Sequence, residues 1–461
     1  MKGDPMYDMA IIGGSVVTQD GVMRTDVGIK DGTIVSVGTP LAPSNVTGRV
    51  IDATGKLVLP GVIDAHVHCR TWTDHADAIG DSHRSAAYGG VTTAITQIRA
   101  PVEMAPSAAI EHFIEEGERT SLIDFGLHTI LRPEHDAATE VPKVMSLGSP
   151  SVKFFMSYKD TGIMTPDATL LRNLRVVAEN GGLAMVHAED GEILSNLIEH
   201  AQATGRTRLE DFAWTHPASA EDLGVHKALA YAKATNCPLY ILHMTTAGGV
   251  ELLREAAAAG QPVFGETCPK YLSLTNDDLL RVGAQAKVGP PLRTDDDREQ
   301  LWDALKTGTL SVVASDHAPR VRARMGQVDD VFAEPYGAPG TETMLPVIFD
   351  ELVVRRGGDV SLLAEILSTN PARIYGLYPK KGVIAPGSDA DLILVDPGRR
   401  EVISAATQHS TATYSLYEGR EVTGWPVLST VRGRVVLEDG ELKQQPGFGR
   451  YQRRDTAGLM R

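Results

Sequence analysis

Gly61-Val62-Ile63-Asp64-Ala65-His66-Val67-His68 decides how this chain is read. Its apolar and small residues suit a β-strand. On a strand, successive side chains point to opposite faces, so Asp64, His66 and His68 share one face. Two neutral imidazoles side by side form a clamp for a divalent metal. Pro60-Gly61 punctuates the start of the run. Two histidines alternating on an ordinary half-buried strand would look the same, so the rest of the chain has to discriminate.

Working outward, the segment after residue 60 repeats strand, loop and helix. The pattern predicts strands at 62–67, 91–97, 123–130, 151–156, 183–187, 238–243, 262–267 and 311–315. Helices are expected between them, at 76–88, 105–119, 167–180, 218–235, 246–259 and 296–307. Eight strands alternating with helices predict an α/β fold, a (β/α)8 TIM-type barrel over 60–380. The competing doubly wound sheet lacks support, because neither a GxGxxG nor a Walker loop follows a strand. Residues 1–59 and 381–461 read instead as short strands broken by Asp20-Gly21, Asp31-Gly32 and Asp439-Gly440, which are hairpin signals. The two ends are therefore expected to join in one small β-sandwich domain, with the tail beyond Gln445 reaching across the surface or a neighbouring subunit.

Function in such a barrel sits at the C-terminal ends of the strands. Those ends carry His66 and His68, Lys153, His187, His243 and Asp316. A lysine inside the apolar run Val152-Lys153-Phe154-Phe155 is hard to explain structurally, because a buried ammonium is costly. It has to be paired, neutralised or modified. A neutral amine reacts with carbon dioxide to give a carbamate, which offers two metals a carboxylate-like bridge.

Composition narrows the classes. The chain has 461 residues, 42% hydrophobic and 22% charged, with a formal net charge of −15. That charge argues against nucleic-acid binding. Cys69, Cys237 and Cys268 form neither a CxxC pair nor a disulfide framework and suit a reducing cytoplasm. No signal peptide is expected at Met1–Ala10, and no stretch is apolar enough to span a membrane.

These residues resemble the cyclic amidohydrolases, in particular the dihydropyrimidinase/hydantoinase branch. The likeness rests on His66-Val67-His68, on Val152 to Lys159, on Val186-His187-Ala188-Glu189 and on Glu266 to Leu272. It continues through Pro290-Pro291-Leu292-Arg293, Ser315-Asp316-His317, Ser368 to Arg373 and Gly387 to Leu392. The resemblance implies two divalent metal ions, zinc with manganese as the alternative. His66, His68 and Asp316 would hold the buried ion, His187 and His243 the more exposed one, and carboxylated Lys153 would bridge them with a hydroxide. It further implies Asp316 as general base and then acid, and Tyr158 as donor to the developing oxyanion. The implied reaction is ring opening of a hydantoin, dihydropyrimidine or related cyclic ureide or imide, in a homotetramer or dimer.

Some positions depart from that pattern. Gly289 stands where the branch has Ser, and Tyr336 where it has Asn; both positions bind the ring in the branch, largely through backbone atoms. Arg70 completes a His-x-His-x-Arg resembling that of dihydroorotases, where the arginine binds a carboxylate. Arg99 and Arg132 follow predicted strands two and three, and three such arginines suggest an anionic substrate group. Arg320, Arg322 and Arg324 read as a solvated or mobile lid. The alternatives are therefore a dihydroorotase-like or allantoinase-like hydrolase, and, in a different class, a scaffold protein of the collapsin response mediator type. The scaffold reading is disfavoured because all six ligand positions are filled.

Overall fold

The computed structural model describes residues 6–18, 21–38, 40–320 and 330–460. Eight parallel strands follow one another in chain order: Val62–His68, Val91–Arg99, Asp124–Ile130, Ser151–Phe155, Leu183–His187, Leu239–Ile241, Val263–Thr267 and Val312–Val313. The ring closes through a parallel bridge between Val67 and His317, where the His68 N–H donates to the His317 carbonyl at 2.7 Å. Ile63, Ile95, Leu183, Met185, Tyr240 and Val312 belong to one buried apolar cluster, which therefore spans strands from both sides of the ring.

The expected strand at 311–315 is reduced to Val312–Val313. The cause is local. Asp64 accepts from the Ser315 N–H at 3.0 Å, from its hydroxyl at 2.5 Å and from the Thr341 hydroxyl at 2.7 Å, so a side chain replaces the ladder there. Asp64 is thus a seam between the first and last strands. The helices Ile79–Tyr88, Pro106–Thr120, Asp167–Glu179, Ala218–Thr235, Ala247–Ala258 and Asp295–Thr307 lie where the sequence pattern places them. A further helix, Gly191–Ala203, had no counterpart in that pattern; it begins at Asp190, whose carboxylate accepts from the Ile193 N–H at 3.1 Å.

The chain ends build one separate, mostly antiparallel sheet of nine strands. Leu57–Pro60 pairs with Leu392–Val395 and carries the chain from that sheet into the barrel. At Asp31-Gly32 and Asp439-Gly440 both residues have positive φ, the geometry that a tight two-residue turn demands. Asp20 of the remaining Asp-Gly pair lies outside the described residues. Among the described residues no helix is long and apolar enough to cross a membrane.

One buried ion cluster ties sheet to barrel. Lys381 Nζ lies 2.7 Å from Asp124, 2.6 Å from Asp391 and 3.1 Å from Asp389. Arg432 adds a further contact to Asp124. The three carboxylates are grouped closely enough for a cation, but Lys381 already occupies that role. Removing one partner of such a buried network costs about 3–5 kcal/mol, because the others stay uncompensated. Lys381→Met is expected to lower the denaturation midpoint accordingly; an unchanged midpoint would show that the cluster carries no stability.

Candidate active site

The first strand delivers His66 and His68 to the C-terminal mouth of the barrel. Their Nε2 atoms are 3.2 Å apart, and Lys153 Nζ lies 3.1 Å from the first and 3.5 Å from the second. Asp316 Oδ1 stands 3.4 Å from His66 Nε2 and 3.6 Å from His68 Nε2. His243 stacks on His66 with ring centroids 5.5 Å apart, and His187 meets His243 edge-on at 4.5 Å. Six residues distant in sequence thus surround one small volume.

Burial sets the protonation of this group. It holds His66, His68 and His243 well below the ordinary imidazole value, so their ring nitrogens keep free lone pairs. Burial also pulls the Lys153 amine down to about 8, which makes the neutral amine accessible near neutral pH. Burial alone would raise Asp316, but Lys270 above all, then His66 and Lys153, hold its carboxyl below the usual range. Lys270 Nζ donates to Asp316 Oδ2 at 2.8 Å, leaving Oδ1 toward the histidines.

A surrounding layer orients the rings. Glu266 meets His66 Nδ1 at 2.5 Å, and it also accepts from the Tyr240 hydroxyl at 2.9 Å and the His243 N–H at 3.2 Å. Glu189 meets His187 Nε2 at 2.7 Å. Each carboxylate leaves the other ring nitrogen available, the arrangement by which proteins present imidazole to a metal. His243 Nδ1 is buried and has no hydrogen-bond partner. Neutral imidazoles, a carboxylate, a deprotonatable buried amine and an orphaned ring nitrogen fit divalent metal ions.

Three residues here hold left-handed backbone without being glycine: Tyr158 (φ 63°), His243 (φ 36°) and Asp316 (φ 47°). Such conformations cost about 1–3 kcal/mol each and concentrate at functional sites. Tyr158 sits on His187 at a centroid distance of 5.0 Å and meets Tyr336 edge-on at 5.4 Å. Gly289 completes this wall: a Cβ there would run into the Tyr158 hydroxyl and come within 3.1 Å of the Tyr336 ring. The Tyr336 hydroxyl pairs with His216 Nε2 at 3.0 Å.

His68, Lys153, Tyr158, His187, His243, Gly289, Asp316 and Tyr336 line a cavity of about 440 Å³. Arg99, Arg132 and Arg320 line it too. Arg70 does not: its side chain is exposed and outside the lining, while its N–H donates to the Asp77 carbonyl at 2.8 Å. Arg320 belongs to the wall rather than to a solvated lid, since its Nε donates to the Tyr336 carbonyl at 2.8 Å and it pairs with Asp74. Arg322 and Arg324 lie outside the described residues. Glu266 and Lys270 were visible only as motif letters. Lys270, in the apolar run Cys268-Pro269-Lys270-Tyr271-Leu272, could have been found by the argument already applied to Lys153.

The fold and site define a class. The Amidohydrolase family model matches residues 57–436, and the chain belongs to that family. Within it, the chain is similar to the D-hydantoinase of Rhizobium radiobacter, 37% identical over 462 residues that cover 97% of this chain and 99% of the relative. It is also 33% identical to the L-hydantoinase of Paenarthrobacter aurescens, over 97% of this chain and 98% of the relative. A crystal structure of a D-hydantoinase superposes with a TM-score of 0.92 at 35% identity, covering 98% of this chain and 100% of that one.

The crowding at Gly289 has a measurable consequence. Gly289→Ser is expected to displace the Tyr158 ring and lower kcat by about tenfold or more, since misplacing a group by an ångström is enough. The fold should survive, because the neighbour that yields is a side chain. Full activity of the variant would show that Tyr158 needs no such space.

Proposed function

We propose that the protein opens a cyclic amide ring by hydrolysis, with a hydantoin, dihydropyrimidine or related cyclic ureide as substrate. The observation that carries this reading is the buried Lys153 amine within 3.5 Å of both His66 and His68, with Asp316 beside them. His66, His68 and Asp316 would hold one divalent ion, His187 and His243 a second, and carboxylated Lys153 would be shared; zinc suits imidazole and oxygen donors best. Bound there, the ions acidify water and polarise a carbonyl.

The chain's own groups supply the remaining steps. Asp316 Oδ1 accepts the proton of the attacking water and returns it to the ring nitrogen as the C–N bond breaks. Lys270, on Oδ2, keeps that carboxyl ionised and aimed. The Tyr158 hydroxyl donates to the carbonyl oxygen as it gains charge. Burial raises the Tyr158 phenol far above its usual value, so it stays a donor at working pH. Backbone at Gly289 and Tyr336 borders the ring amide; the Tyr336 carbonyl, which already accepts from Arg320, has one lone pair left for it. The buried free thiols of Cys69, Cys237 and Cys268 support a reducing compartment such as the cytoplasm.

A steady-state panel of hydantoin, dihydrouracil, dihydroorotate and allantoin with zinc-loaded enzyme tests the proposal. Turnover of at least one ring and about two zinc equivalents per chain are expected, with a mass gain of one carbon dioxide on Lys153. Absence of turnover across the panel would defeat the assignment. Tyr158→Phe should cost about 10²–10³ in kcat, as loss of one oxyanion donor does. Lys153→Ala should lose both the bound metal and the activity, and full metal content in that variant would contradict the shared-ligand role.

A further inference from the structure

The wall beside Lys153 carries charge that the hydrolytic chemistry does not use. Arg99, Ile130 and Lys153 are successive cross-strand partners on the second, third and fourth barrel strands. Neighbouring strands lie about 4.8 Å apart, so the backbones of Arg99 and Lys153 stand roughly 10 Å apart at the same level of the barrel. Ile130, between them in register, forms with Phe155 and Ile163 a small apolar cluster that lines the same cavity. The Phe155 ring centroid is only 4.7 Å from Lys153 Nζ.

The Arg99 side chain has no hydrogen-bond or ion-pair partner among the described residues, although Asp74 is near enough to act on its charge. Arg132, next to it in the wall, has one acid nearby, Glu134, with its carboxylate 3.4 Å from Nε but making no hydrogen bond to it. Arg320 pairs with Asp74. Burial, with repulsion from Arg320 and Arg132, lowers the Arg99 guanidinium below its ordinary value. A protein of net charge −15 thus keeps three guanidiniums in the lining of one cavity, of which Arg99 has no ion-pair partner among the described residues. Guanidinium forks match a carboxylate in geometry and charge.

We propose that the substrate is a cyclic ureide whose ring carbon bears a short carboxylate-terminated chain, with the ring amide at Lys153 and Asp316, the methylenes over Ile130 and Phe155, and the carboxylate on Arg99 and Arg132. This rests on the ring-opening reading above and adds the substituent. Arg99 and Arg132 line the same cavity as Lys153 and Asp316, with the apolar side chains of Ile130 and Phe155 in that lining too, so a short methylene chain ending in a carboxylate matches the sequence of surfaces. Hydantoins derived from aspartate and glutamate have this shape.

The test compares 5-(carboxymethyl)- and 5-(2-carboxyethyl)hydantoin with their carboxamide counterparts, which match them in size and lack the charge. Wild-type enzyme should favour the acids in kcat/KM by about tenfold or more, the usual worth of a charge-assisted hydrogen bond. Arg99→Gln and Arg132→Gln should each collapse that ratio toward one, and Arg99→Lys should retain part of it. Calorimetric binding of N-carbamoylaspartate against N-carbamoylasparagine supplies a readout without turnover and should show the same preference, lost in Arg99→Gln. Equal handling of acid and amide by wild-type enzyme, or a ratio unmoved in both glutamine variants, overturns the proposal while leaving ring hydrolysis standing. A change in assembly size without a change in the ratio would assign the arginines to a subunit contact and overturn it equally. No turnover of any cyclic amide, with the binding preference intact, would instead defeat the hydrolytic reading and leave the anion site.

Discussion

Placing an amine on the inner wall of a barrel, away from water, constrains everything around it. An ammonium there would cost several kcal/mol without a partner. Lys153 has imidazoles for immediate neighbours and Asp316 just beyond them. The solution is chemical rather than electrostatic: the amine is brought toward neutrality, and the lone pairs facing it belong to neutral rings. A site of that kind cannot come from one element, because no strand offers more than two inward donors at one level. Five strand ends have to converge, and a closed parallel barrel is the fold that makes them do so.

Closure therefore matters as much as the ligands. The last strand is only two residues long, and Asp64 replaces its ladder by bonding Ser315 and Thr341. That leaves Asp316 free to turn into the left-handed region and face His66 and His68. The strain at Asp316 and His243 is offset by the buried network through Glu266, Tyr240 and Lys270, which gives both groups a defined position. The same rigidity shapes the substrate cavity, where Gly289 makes room for the Tyr158 hydroxyl.

Much of this was legible from local pattern. A period of two marks strands, a longer period marks helices, and Asp-Gly pairs mark hairpins; each depends on backbone geometry within a few residues. The polar residues at the ends of apolar strands stood out for the same reason, which is why His66, His68, Lys153, His187, His243 and Asp316 could be named together. The Gly191–Ala203 helix was lost because it follows the His187–Asp190 loop without a break. Spacing alone does not put Arg320 in the cavity lining or Arg70 outside it, because a loop side chain's destination depends on how the loop packs.

The sequence by itself determined the alternation of elements, the hairpin turns and the identity of the polar residues at the strand ends, since each is set by neighbours along the chain. Only the tertiary structure decided that Arg99 and Arg320 share the cavity with Lys153, that Arg70 does not, and that Glu266 and Lys270 fix the orientation of His66 and Asp316. Those relations join residues up to hundreds of positions apart. They exist because closing the ring brings the strand ends within a few ångströms of one another, where desolvation makes every unpaired polar atom count.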